Sequence, residues 1–160
     1  MEWLLKIRNV VNWFMVILGG ISVLALMTLA TGNVCLRIFQ IPYRGAYEIV
    51  SFLGAVTIAF ALGYTQIHKA NIVVDILTET FPAPVKRVLD AVGYLVTMVF
   101  FALIAWVIFK WGIRIAQSGE LSETLKVIYY PFIFSVSVGF GFLSLTLIID
   151  FLNALSGKER

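Results

Sequence analysis

The sequence predicts an all-α membrane protein: four transmembrane helices plus an interfacial amphipathic helix between spans two and three. Three observations carry this reading. Of 160 residues, 61% are hydrophobic and only 13% charged, whereas soluble domains are about half apolar and a quarter charged. The apolar residues gather in four runs, at 10–36, 46–67, 88–112 and 127–152, and each supplies the ~20 residues that cross a bilayer. The longest break between runs, HKANIVVDILTETFPAP at 68–84, is itself half apolar. Outside the runs no stretch is long enough for a soluble core, so residues 1–160 read as a single membrane domain.

The first run follows Lys6 and Arg8, as the core of a secretory signal would. It is longer than a signal core and lacks a clear small-x-small cleavage site, so it is expected to stay as a span. Trp3 and Trp13 flank its start, where indole rings favour the membrane interface. Gly19, Gly20, Ser22, Ala25, Thr28 and Gly32 leave room for a neighbouring helix. A link with Pro42 and Gly45 as breakers leads into the second run. There Glu48 falls in the first turn, where the helix N-terminus favours a carboxylate. Gly54 and Gly63 mark further contact faces.

In the break, the spacing predicts a helix over 70–81. Ile72, Val73, Ile76, Leu77 and Phe81 share one face, and Asn71, Asp75, Thr78 and Glu79 the other. Such a segment is too short and charged to cross a bilayer, and too apolar on one side for water. Lying flat at the lipid surface satisfies both faces. Pro82 and Pro84 end it, and Lys86 and Arg87 lead into the third run. That run finishes on Trp106, Lys110, Trp111 and Arg114, whose long side chains are expected to snorkel to the headgroups. A polar link (AQSGELSETLK) precedes the fourth run, with Pro131 in its first turn, where a missing N–H is tolerated.

Four spans put both termini and the central break on one side. Of the 12 Lys and Arg, that side holds seven (Lys6, Arg8, Lys69, Lys86, Arg87, Lys158, Arg160) and the other five. The bias favours both termini in the cytoplasm. The basic residues sit at segment ends and form no nucleic-acid patch.

Little chemistry is provided. The lone histidine, His68, and the lone cysteine, Cys35, allow neither a bis-histidine haem nor a thiolate cluster. No glycine-rich phosphate loop is present, and the middle of every run is apolar or small, with hydroxyls as its polar groups. No enzymatic activity, cofactor or metal is expected. Arg37 and Glu48 lie on one side, close enough in sequence to pair across the first link. The residues describe a partner subunit better than a machine working alone. A membrane anchor of a redox complex and a self-assembling small channel or exporter stay open as alternatives.

Three patches add a resemblance. Asn33-x-x-x-Arg37-x-Phe39 is followed by Pro42, Gly45 and Glu48; His68-x-x-x-Ile72-x-Val74-Asp75 opens the break; Gly119-Glu120-Leu121-Ser122-x-Thr124-Leu125 precedes Pro131. In order and spacing, and with the four runs, the chain resembles the small membrane subunit of TRAP (tripartite ATP-independent periplasmic) transporters, the DctQ type. It departs at Ile128, where family members often carry proline. The resemblance implies three partners: a large multi-span subunit holding substrate and sodium sites, a periplasmic binding protein delivering an organic acid (a dicarboxylate or a sialic acid), and inner-membrane lipid. It implies sodium-driven uptake in which the large subunit makes an elevator-like motion against a stationary scaffold that this chain widens. Arg37, Arg44, Glu48, Glu120 and Glu123 would be the candidate contacts for the binding protein, and Trp3, Trp13, Lys110, Trp111 and Arg114 the membrane-interface anchors.

Overall fold

The computed structural model describes residues 2–71 and 82–155. They form four helices: α1 (Glu2–Ile38), α2 (Ala46–Ile67), α3 (Ala83–Ser118) and α4 (Tyr130–Leu155). All four are long and apolar enough to cross a membrane. At 1.5 Å per residue α2 spans roughly 33 Å, matching the ~30 Å hydrocarbon thickness, while α1 and α3 run to about 55 Å and must tilt or project. The predicted interfacial helix, with Ile72, Val73, Ile76, Leu77 and Phe81, lies outside the described residues apart from its first two, Ala70 and Asn71.

Helix ends follow local geometry more than the obvious breakers. α1 stops because Gln40 adopts a left-handed φ of 60° and the Ile41 N–H reaches back to the Leu36 carbonyl at 3.1 Å. α2 stops the same way, with Lys69 at φ 49° and Ala70 N–H on the Thr65 carbonyl at 3.0 Å. These are Schellman closures built without glycine. Pro82 and Pro84 open α3, and Gly119, left-handed at φ 66°, closes it. α4 begins at Tyr130, three residues beyond the run that predicted it, because Val127 and Ile128 are held in a hairpin described below.

The helices pack in the order α1, α2, α4, α3. Gly19 meets Phe60 and Gly54 meets Leu26, so α1 and α2 are antiparallel. Ser137 donates to the Ala105 carbonyl at 2.8 Å and Ser144 to that of Met98 at 3.3 Å, so α4 and α3 are antiparallel too. α2 and α4 run side by side in one direction, with Ala59 at Gly139 and Gly63 at Phe142. One end therefore carries the 39–45 link and the 119–129 loop, the loop end; the other carries both termini.

The core sits between α1, α2 and α4, where Met15, Val56, Ala59, Phe60 and Phe142 cluster. α4 is the hub: 44% of its apolar window is buried, against 6% for α3 and 11% for α1. The two outer helices thus turn most of their apolar surface outward. Intramembrane hydroxyls are mostly bonded within their own helix, as Ser22, Thr28, Ser51, Ser135 and Thr146 are to the carbonyl four residues back. Ser137 and Ser144 instead stitch two helices. Ser137→Ala and Ser144→Ala should each weaken the α3–α4 contact by about 0.6 kcal/mol, the mean for such bonds in membranes. Reversible unfolding of the purified chain in detergent measures this, and the double variant should lose about the sum.

Candidate functional site

The described side chains converge at the loop end. Glu48 rises from the first turn of α2 and turns to the 119–129 loop. Its Oε1 accepts the Thr124 N–H at 2.5 Å and its Oε2 the Leu125 N–H at 3.1 Å. These bonds hold the Glu48 carboxyl well below its ordinary pKa, against the burial that would raise it. Beneath it, Leu125 packs onto buried Gly45, so closely that a side chain at Gly45 would overlap it. One carboxylate and one glycine on either side of the start of α2 therefore clasp a loop 76 residues away.

The loop is shaped to be held. Ser122 N–H donates to the Val127 carbonyl at 3.0 Å, and Val127 N–H to Ser122 Oγ at 3.2 Å. Leu121 and Ile128 form an antiparallel bridge, and Lys126 takes a left-handed φ of 54° at the turn. Tyr129 donates its phenol to Glu120 Oε1 at 2.9 Å and stacks on Phe52 of α2, which stacks on Phe132 of α4. Burial first, then the Glu120 hydrogen bond and charge, raise the Tyr129 pKa above its ordinary value. The first link is tied as well: Asn33 Oδ1 accepts the Tyr43 N–H at 2.9 Å.

Two of the three sequence patches thus meet in one structure. Asn33, Gly45 and Glu48 come from the first, and Glu120, Ser122, Thr124 and Leu125 from the third. Of the second, His68 is described, its ring 4.0 Å from that of Tyr64. Among the five candidate contacts, Arg37, Arg44 and Glu123 are exposed, Glu120 serves Tyr129, and Glu48 is committed to the loop. The Arg37–Glu48 pairing that the sequence suggests gives way to carboxylate–amide bonds.

The suggested anchors lie on outer surfaces. Trp3 and Trp13 are exposed on the terminal half of α1, and Trp111 and Arg114 near the loop end of α3. Lys110 places its ammonium 5.2 Å from the Trp106 ring centroid, a cation–π distance. At the terminal end a polar chain escaped sequence reasoning. Gln66 Nε2 donates to Asp150 Oδ2 at 2.7 Å, and Asn71 Nδ2 to Gln66 Oε1 at 2.8 Å. The sequence offered two separate signals, Gln66 at the end of one apolar run and Asp150 near the end of another, with nothing to join them. Among the described residues, no group of three His, Cys, Asp or Glu is placed to hold a metal. What the arrangement does chemically is hold a loop and three helix ends in fixed relation.

No curated protein and no solved structure matches the chain. A family model does, described as "Tripartite ATP-independent periplasmic transporters, DctQ component", over residues 24–157. The match takes in α2, α3, α4, the last part of α1 and both sides of the Glu48 clasp. On that span, the chain belongs to the DctQ family, the small membrane component of TRAP transporters.

Proposed function

We propose that this chain is the stationary scaffold of a sodium-driven, binding-protein-dependent uptake system for an organic acid of the sialic acid or dicarboxylate class. It lies in a bacterial inner membrane with both termini in the cytoplasm. It braces the large multi-span subunit and helps to dock the periplasmic binding protein. The observation that supports this is the combination of the family match with a loop end tied together by the Glu48 clasp. A brace must keep its helices at constant height and spacing while a partner moves. Long outer helices with exposed apolar faces offer the partner contact area, and charges at the ends resist vertical displacement, since drawing one to the bilayer centre costs at least ~2.5–3.5 kcal/mol.

In this orientation the loop end faces the periplasm. With Glu48 and Glu120 used internally, Arg37, Arg44 and Glu123 are the side chains of the original five that remain offered to a binding protein. The anchors Trp3, Trp13, Lys110, Trp111 and Arg114 would set the depth of α1 and α3 in the lipid.

The test is reconstitution. The large subunit and binding protein, placed in liposomes with an inward sodium gradient, should accumulate a labelled organic acid only when this chain is present. Uptake at the full rate without it refutes the scaffold role. Accumulation by this chain alone points to a self-assembling channel instead.

A further inference from the structure

We infer that Tyr129 is a positioning residue for docking: it holds the Glu120 carboxylate at the loop end as a preset acceptor for a cationic side chain, arginine or lysine, of the binding protein. The inference rests on the docking role proposed above and names the chemistry of one contact in it.

The Tyr129 ring is fixed before it reaches Glu120. It lies parallel to the Phe52 ring of α2, with centroids 5.8 Å apart, and Phe52 in turn lies 5.2 Å from Phe132 of α4. Three rings thus root one phenol in two helices. Its hydroxyl donates to Glu120 Oε1 at 2.9 Å. The backbone around Glu120 is shaped as well: it follows Gly119, the left-handed residue that closes α3, and precedes Leu121, which bridges to Ile128. Glu120 is therefore held at both its backbone and its tip, yet it is exposed.

Serving Tyr129 does not exhaust the carboxylate. Its two oxygens offer about four acceptor positions, and the phenol takes one. The Tyr129 pKa is raised, by burial first and then by the Glu120 bond and charge, so the phenol stays protonated and keeps donating. Order sets Glu120 apart from the other charges at this end. Arg37, Arg44 and Glu123 are long, exposed side chains, and freezing one such side chain on docking costs roughly two- to ten-fold in affinity. Glu120 is already ordered, so little of that loss applies to it. An ionised acceptor of fixed direction suits a guanidinium or ammonium, which meets it through short charge-assisted bonds.

The experiment is uptake by the reconstituted complex of this chain, the large subunit and the system's own binding protein, with the binding protein titrated. Glu120→Gln should raise the half-saturating concentration of binding protein about ten-fold, the low end for a hydrogen bond to a charged group, and leave the maximal rate unchanged. It should also flatten the rise of that concentration with added salt. Tyr129→Phe keeps the ring stack and loses only the hydroxyl, and should give a smaller rise, roughly three-fold. Because Tyr129 acts through Glu120, the double variant should match Glu120→Gln alone. Single effects that multiply in the double variant overturn the positioning role. An unchanged half-saturating concentration in Glu120→Gln overturns the contact, as does a loss confined to the maximal rate, which would place the carboxylate against the large subunit or lipid. In each of these cases uptake still requires this chain, so the scaffold reading stands; full uptake without the chain removes both.

Discussion

Gly139→Val is expected to be the most damaging single substitution in the membrane-spanning part of this chain. A Cβ at Gly139 would lie 2.7 Å from the Ala59 carbonyl oxygen and 2.8 Å from both the carbonyl carbon and the Cβ of Ala59. Two of those three atoms are backbone, so no rotamer change relieves the overlap and α2 must move away from α4. Ala59 is 1% exposed and belongs to the Met15–Val56–Phe60–Phe142 cluster. Separating the helices therefore opens that cluster as well. Overpacking of this kind costs about 1–3 kcal/mol, and the two extra methyls of valine should bring it to the upper end. The measurement is thermal or denaturant unfolding of the purified chain in mild detergent, beside Gly141→Ala as control. Gly141 sits two residues away with open space at its Cβ, so its variant should unfold like the parent. Equal stability of the two variants would show that α2 and α4 do not touch at Gly139.

The same pair shows where reading the sequence stops. Gly19, Gly20, Gly32, Gly54 and Gly63 stand out in it as contact points; Gly19, Gly54 and Gly63 do meet a neighbouring helix, whereas Gly20 and Gly32 face open space. Gly139 and Gly141 look alike in the run SVSVGFGF, yet one is pressed against a backbone and the other opens a groove. What separates them is the identity of the neighbouring helix, which no local pattern encodes. The four spans were legible because an apolar run of that length has few other uses. The start of the fourth was not, since Val127 and Ile128 are as apolar as the span they precede and only the bridge to Leu121 keeps them out of it. The end of α1 was less legible. Pro42 and Gly45 are conspicuous, but the chain turns at Gln40, a residue type with no special liking for a left-handed φ; the end of α2 at Ile67 matches the end of its apolar run.

The loop end was half legible. The position of Glu48 in a helical first turn marked it as a useful carboxylate, and the patches containing Gly45, Ser122 and Thr124 marked their neighbourhoods. The bond between them was hidden. Opposite charges invite a pairing with Arg37, eleven residues away, whereas backbone amides carry no signature in a sequence. The structure prefers amides because two adjacent N–H groups in a tight turn suit both oxygens of one carboxylate, and no long, mobile arginine side chain has to be ordered to make the contact.

That difference gives the second large prediction. Glu48→Gln keeps the size of the side chain but turns an N–H₂ toward either Thr124 or Leu125, whose N–H then faces a donor. The 119–129 loop should loosen while α2 and α4 stay folded. Amide exchange at Thr124 and Leu125 should accelerate strongly, and a protease should begin to cut within the loop. Glu48→Asp should behave alike, because a side chain one methylene shorter does not reach both amides. Arg37→Gln and Glu123→Gln should leave exchange unchanged, and so should added salt, which screens exposed ion pairs far more than a bidentate carboxylate–amide bond. In the reconstituted transporter the Glu48→Gln scaffold should still assemble with the large subunit, through its outer helices, but support slower uptake. The loss should lie in coupling to the binding protein, seen as a higher concentration of that protein at half-maximal rate. A Glu48→Gln chain whose loop amides stay protected would mean that Glu48 does not hold the loop, and an Arg37→Gln chain whose loop is released would mean that an ion pair holds it and not the clasp.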